Sequence, residues 1–206
     1  MRQEHGVQPS LLMHSIPMEL SVEDALVQGR MADTTWAPVQ SWLADSVRHL
    51  FTAGATAIAM PCNTLQSELG RICRNVGLAH LGMLELTAHA AARDGARKAL
   101  VLATSSTAMH DRYGRFLREQ GVECIYPTAR AQEAVSRHIS DILNGTTIVD
   151  QLDVAAALHE QLAHVDAVVI GCTDLDADLF RSLVDVPVVD SLECLVAAIV
   201  ERSAQR

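Results

Sequence analysis

The chain has 206 residues, a formal charge of −9 and 49% hydrophobic composition, enough to bury a substantial core. The acidic balance and the lack of a basic tract exclude nucleic acid as the expected partner. Apolar runs are of strand length, well under the roughly 18 residues that cross a bilayer, so no membrane span is expected either.

Residues 1–10, MRQEHGVQPS, contain no leader-like apolar run, and a cytosolic protein is expected. Five cysteines, an odd number without a CxxC pair, read as reduced thiols. Strands are expected at 11–14, 56–60, 79–83, 98–103, 122–126, 166–170 and 186–189, with helices between them. That alternation predicts βα units and a mostly parallel sheet. Trp36, Val39, Leu43, Val47 and Leu50 form a helical stripe, as do Leu192, Leu195, Val196 and Ile199, and both stripes read as core. Cys73, Cys124 and Cys194 also read as core.

One lysine stands against fifteen arginines. Lys98 opens the strand at 98–103, whereas ligands in open α/β sheets sit at the carboxyl ends of strands. It is badly placed for a pyridoxal-phosphate Schiff base, and no cofactor is expected. The nine histidines show no metal-ligand spacing, so no metal is expected.

Two stretches carry chemistry: AIAMPCNTLQSEL at 57–69 and AVVIGCTDLDADL at 167–179. In each, an apolar strand breaks into a polar turn at a cysteine followed by a threonine and a helix-forming segment. Cys62 and Cys172 lie 110 residues apart, as in an internal duplication. Thiols at equivalent strand ends of two such halves would face each other across the cleft between them. One can then remove an α-proton while the other delivers a proton to the opposite face. Asn63, Thr64 and Thr173, with the turn amides, can hold a carboxylate and stabilise developing charge. Asp174 reads equally as a partner of Cys172 or as a helix N-terminal charge. Asp190 reads as a cap for the last helix, beside Ser191. The second half opens with a strand and the hydroxyl-rich turn ATSST (103–107). Its first-half counterpart would precede Met1, so the chain either begins one βα unit late or closes its first sheet differently.

PCNT at 61–64 and GCTDL at 171–175, with LATSST at 102–107, YGRFLREQGVECIYP at 113–127 and VPVVDS at 186–191, resemble the aspartate/glutamate racemase superfamily. Its relatives include hydantoin racemases, maleate isomerases and arylmalonate decarboxylases. The resemblance implies an α/β fold of two pseudo-symmetric Rossmann-like lobes with mostly parallel sheets, the first lacking its usual N-terminal βα unit. The expected division is 1–96 plus 190–206 for the first lobe and 97–189 for the second. It further implies a homodimer and cofactor-independent racemisation or epimerisation of a small-molecule amino acid. Cys62 and Cys172 would be the catalytic pair, and Asn63, Thr64, Thr104, Ser106, Thr107, Thr173 and Asp174 would surround the substrate. A maleate-isomerase-like reaction on a non-amino acid, or a silent amino-acid-binding homologue, are the alternatives.

Departures from the family pattern bear on substrate. The first motif continues as Leu65 and Gln66 where aspartate racemases often have Ala-His. The arginine expected to grip a side-chain carboxylate has no match in HSIPMELSVEDAL at 14–26, which carries Glu19, Glu23 and Asp24 instead. Unless Arg30 folds inward, those acids would repel a dicarboxylic amino acid, and a neutral or basic one is expected.

Overall fold

The computed structural model describes residues 10–146 and 151–204, without the side chains of Asp33, Gln151 and Leu152. Residues 1–9, most of the stretch read above for a leader segment, lie outside them. The first part of the chain forms helices Leu20–Val27 (α1) and Asp33–Thr52 (α2), strand Ala57–Ile58 (β1), helix Gln66–Val76 (α3) and strand Ala79–His80 (β2). β1 and β2 pair in parallel, Ala57 opposite Ala79 and Ile58 opposite His80. The α2 stripe behaves as its spacing predicts: Val39, Leu43 and Val47 bury against Leu65, Leu69, Ile72 and Cys73, with Trp36 and Leu50 at the margin.

One strand expected from the sequence is absent. Residues 11–14 form no strand, and Leu11, Leu12 and Met13 are 67%, 53% and 93% exposed. A short apolar run becomes a strand only where a neighbouring edge satisfies its backbone, and none pairs with this one. In contrast, α1 carries no clean stripe because its apolar residues serve two cores. Leu26 packs with the first lobe and Val27 with the second.

From Met83 onward the chain builds a larger layer structure: Met83–Arg93 (α4), Lys98–Ala103 (β3), Ser105–Met109 (α5), Gly114–Glu119 (α6), Glu123–Ile125 (β4), Ala129–Leu143 (α7), Gln151–Leu162 (α8), Ala167–Gly171 (β5), Ala177–Leu183 (α9), Val188–Asp190 (β6) and Ser191–Ala204 (α10). The four strands form one parallel sheet in the order β4-β3-β5-β6. Residues 99–103 and all of β5 are buried, which explains their unbroken apolar sequence. Period-two alternation then divides them between faces. Leu100, Leu102, Val168 and Ile170 join Ala131, Val135 and Ile139 of α7 and Val154 and Leu158 of α8. Ala99, Val101, Ala167 and Val169 join Leu84, Ala88 and Ala91 of α4 on the other face.

α10 packs beside α4 over this second face. Both helices lie outside residues 97–189, the stretch expected for the second lobe, yet they cover its sheet. The α10 stripe is rotated from its expected face: Leu195 is buried and Cys194 half-buried, while Val196 is 42% exposed. Asp190 caps the helix as read, its Oδ1 accepting the Leu192 amide at 2.8 Å. No helix among the described residues is long and apolar enough to cross a membrane.

The strand order places the site. From β3 the chain turns to β4 on one side, and from β5 to β6 on the other, so the β3/β5 boundary is the switch point where a crevice opens at the carboxyl ends. Ala103 and Gly171 are paired across that boundary. A Cβ added at Gly171 would lie 2.9 Å from the Tyr113 ring and 3.2 Å from the Leu102 carbonyl. Gly171→Ala should therefore lower unfolding stability by about 1–3 kcal/mol in denaturant titrations; an unchanged midpoint would show that the packing there yields.

Candidate active site

Cys62 and Cys172 line one cavity of about 340 Å³, at the small end of the usual range for ligand pockets. Cys172 follows β5 and is buried, whereas Cys62, beyond β1, is partly exposed. Neither sits directly on a helix N-terminus: α3 begins at Gln66 and α9 at Ala177, so each thiol stands in the turn ahead of its helix. Around them, the cavity draws Met60, Pro61, Asn63, Thr64 and Leu65 from the first lobe and Thr104, Gly171, Thr173 and Asp174 from the second. α1 spans the cleft, contacting α5 and α7. With the approach segment it adds His14, Ile16, Met18, Glu23, Leu26 and Val27 to the wall.

Of the substrate residues expected from the resemblance, Asn63, Thr64, Thr104, Thr173 and Asp174 reach the cavity. Ser106 and Thr107 do not line it and are buried behind it in α5. Thr107 is instead part of a hydroxyl cluster. Thr104 donates to Thr107 at 3.1 Å, and Thr64 lies 3.0 Å from Thr104 and 3.4 Å from Thr107. Thr104 also caps α5, its hydroxyl accepting the Thr107 amide. These hydroxyls hold the Cys62 turn against the second lobe. Thr173 adds a further stitch by donating to the Pro61 carbonyl at 3.4 Å.

Several residues that shape the site escaped the sequence reading. The Tyr113 hydroxyl donates to Asn63 Oδ1 at 2.6 Å, and Asn63 Nδ2 donates to Ser191 Oγ at 3.0 Å. Burial pushes the Tyr113 phenol well up, keeping it a donor. Gln66 is a clasp: its amide donates to the Met60 and Cys62 carbonyls and accepts from the Met83 amide. His80 Nε2 lies 3.1 Å from the same Gln66 oxygen. A sequence signal existed, since the amide side chains of Asn63 and Gln66, just past an apolar strand, require partners once buried.

The electrostatics of the two thiols differ. Burial pushes Cys62 up, while the Leu65 and Thr64 amides donate toward it and oppose that shift. Asp174 also raises it, and the charge of Arg112 lowers it. Cys172 is pushed well above the usual thiol range, first by burial and then by the Asp174 charge, and its Sγ donates to Asp174 Oδ2 at 3.4 Å. Asp174 is thus a direct partner of Cys172, with the α9 cap supplied by Asp176, whose Oδ1 accepts the Asp178 and Leu179 amides.

A small cavity carrying two thiols, set between parallel-sheet lobes at a strand switch point, defines a two-lobed α/β protein with a thiol-lined ligand site. The family described as Asp/Glu/Hydantoin racemase matches residues 4–199. A broad specificity amino-acid racemase of Bacillus subtilis is 29% identical over 157 residues, covering 76% of this chain and 68% of that protein. Among solved structures, a putative Asp/Glu racemase from Yersinia pestis aligns at TM-score 0.72 and 24% identity, over 90% of this chain and 80% of the other. The aspartate racemase of Picrophilus torridus aligns at TM-score 0.66 and 22% identity, over 91% and 75%. At those identities the structures speak for the fold. The chain belongs to the Asp/Glu/Hydantoin racemase family and is an isomerase of the racemase class.

The clasp is open to test. Gln66→Leu keeps the volume but strips partners from two carbonyls and an amide, and should destabilise the protein by about 2–3 kcal/mol. Thermal melting reads the loss, and an unaltered Tm would show that water replaces the side chain.

Proposed function

We propose that the protein racemises or epimerises an α-amino acid by 1,1-proton transfer between Cys62 and Cys172, without a cofactor. The observation that carries this reading is the opening of both thiols into one small cavity at the carboxyl ends of the strands. Cys172 donates to a carboxylate and is the protonated member at rest. Cys62, with two amide donors and the Arg112 charge favouring its anion, is the base. The Cys62 thiolate takes the α-proton, its C–H bond breaking, as Cys172 S–H delivers a proton to the opposite face of the carbanion. The pair ends with its protons exchanged, ready for the reverse reaction. Asp174 would receive the α-ammonium, and the turn amides at 62–65 and 172–174 the carboxylate. The same reading carries a cytosolic homodimer, which light scattering and fractionation test.

Replacing either cysteine by serine should lower racemisation by at least about a thousandfold, while binding persists. In deuterated solvent, the product enantiomer should acquire deuterium ahead of the remaining substrate. Full activity of Cys62→Ser refutes the two-base scheme.

The pH profile follows from the raised thiols. The free enzyme works with one thiolate and one thiol, and burial moves both ionisations above about 8.5, the ordinary cysteine value. Accordingly kcat/KM should climb through pH 8 and past that value as Cys62 ionises. It should fall only at still higher pH, as Cys172 loses its proton. A maximum below pH 7 would contradict this arrangement.

A further inference from the structure

The acidic residues of the α1 region have separate fates. Asp24 accepts from Ser140 at 3.1 Å and pairs with Arg30 at 3.0 Å on the exposed surface. Arg30 is thereby turned away from the cavity. Glu19 is exposed and accepts from Ser21 at 3.4 Å. Glu23 alone of the three lines the cavity, and no hydrogen bond or ion pair engages its carboxylate among the described residues. Helical spacing puts Glu23 on one face with Leu26 and Val27, at i, i+3 and i+4, and all three are cavity residues.

The cavity that Glu23 lines is largely apolar, with Ile16, Met18, Leu26, Val39, Leu43 and Met60 contributing. Among the described residues that line the cavity, the acidic side chains are Glu23 and Asp174, and there is no arginine or lysine. His14, also a lining residue, is exposed and has Nδ1 3.0 Å from Ser46 Oγ. A partly buried carboxylate that shares a cavity with these apolar side chains, and has no bond partner among the described residues, favours a ligand with a methylene stem and a cationic tip. A second carboxylate on the ligand would meet no arginine or lysine among the described lining residues.

We infer that Glu23 is a specificity residue that selects amino acids with cationic side chains, of the lysine and ornithine type, by receiving the terminal ammonium. This rests on the racemase reading for the α-carbon end of the substrate; the side-chain end is independent of it. The α-ammonium faces Asp174, the methylene stem lies along the apolar wall, and the side-chain ammonium meets Glu23. The amide turns take the carboxylate. One positive charge is thus set against each cavity carboxylate.

L-Lysine and L-norleucine share a carbon chain and differ by the terminal ammonium, so they isolate this contact. Wild-type kcat/KM should favour lysine by about tenfold, equivalent to ~1.4 kcal/mol. In Glu23→Gln the ratio should collapse toward one, whereas Glu19→Gln, on the exposed side, should preserve it. A ratio that survives Glu23→Gln, or a preference for L-glutamate, overturns the assignment. If no amino acid is racemised, the racemase reading fails separately, and calorimetric titration with the same two ligands decides the Glu23 contact. Equal binding of both, or binding of neither, overturns it.

Discussion

The site depends on a buried side chain held from two directions. Asn63, next to Cys62, gives its amide hydrogen to Ser191 at the start of α10 and takes one from Tyr113 ahead of α6. Both partners belong to the layer built on the four-stranded sheet, so a first-lobe turn is fixed by second-lobe atoms. Leaving the Asn63 amide unpaired in that environment would cost a few kcal/mol. The bonds therefore set where Cys62 stands relative to Cys172. The threonine cluster and the Thr173 stitch reinforce the same junction.

The sheet supplies the other half of the geometry. Because β3 and β5 are adjacent and their connections leave in opposite directions, the turns after Ala103 and Gly171 open side by side. Thr104 and Cys172 arrive together for that reason. Gly171 matters here because the strand end must pass close to Tyr113, the residue that also holds Asn63. Packing of the sheet and orientation of the first cysteine thus share one aromatic ring.

The two thiols are chemically unequal although their sequence contexts are alike. Cys172 has a carboxylate as its acceptor, and Cys62 has amides as its donors. Burial raises both, and the difference in partners decides which is better placed to be anionic. α1 completes the enclosure by crossing from one core to the other, and it brings Glu23 to the wall as it does so.

Sequence alone was sufficient for the parallel α/β character, the strands at 98–103 and 166–170, the α2 stripe, and the two cysteine turns as candidates. These are local signals: period-two and helical alternation, and polar turns that follow apolar strands. Tertiary structure decided what local pattern cannot encode. The run at 11–14 found no partner strand, α1 divided its apolar side chains between two cores, and Thr107 turned to a buried hydroxyl cluster rather than the cavity. Tyr113 acquired its role only by coming within hydrogen-bond reach of Asn63, 50 positions away, and Gln66 completed its clasp only when the Met83 amide, 17 positions on, reached it. A hydrogen bond is a relation between two positions, and its second partner is fixed by the packing of the whole chain rather than by neighbours in sequence.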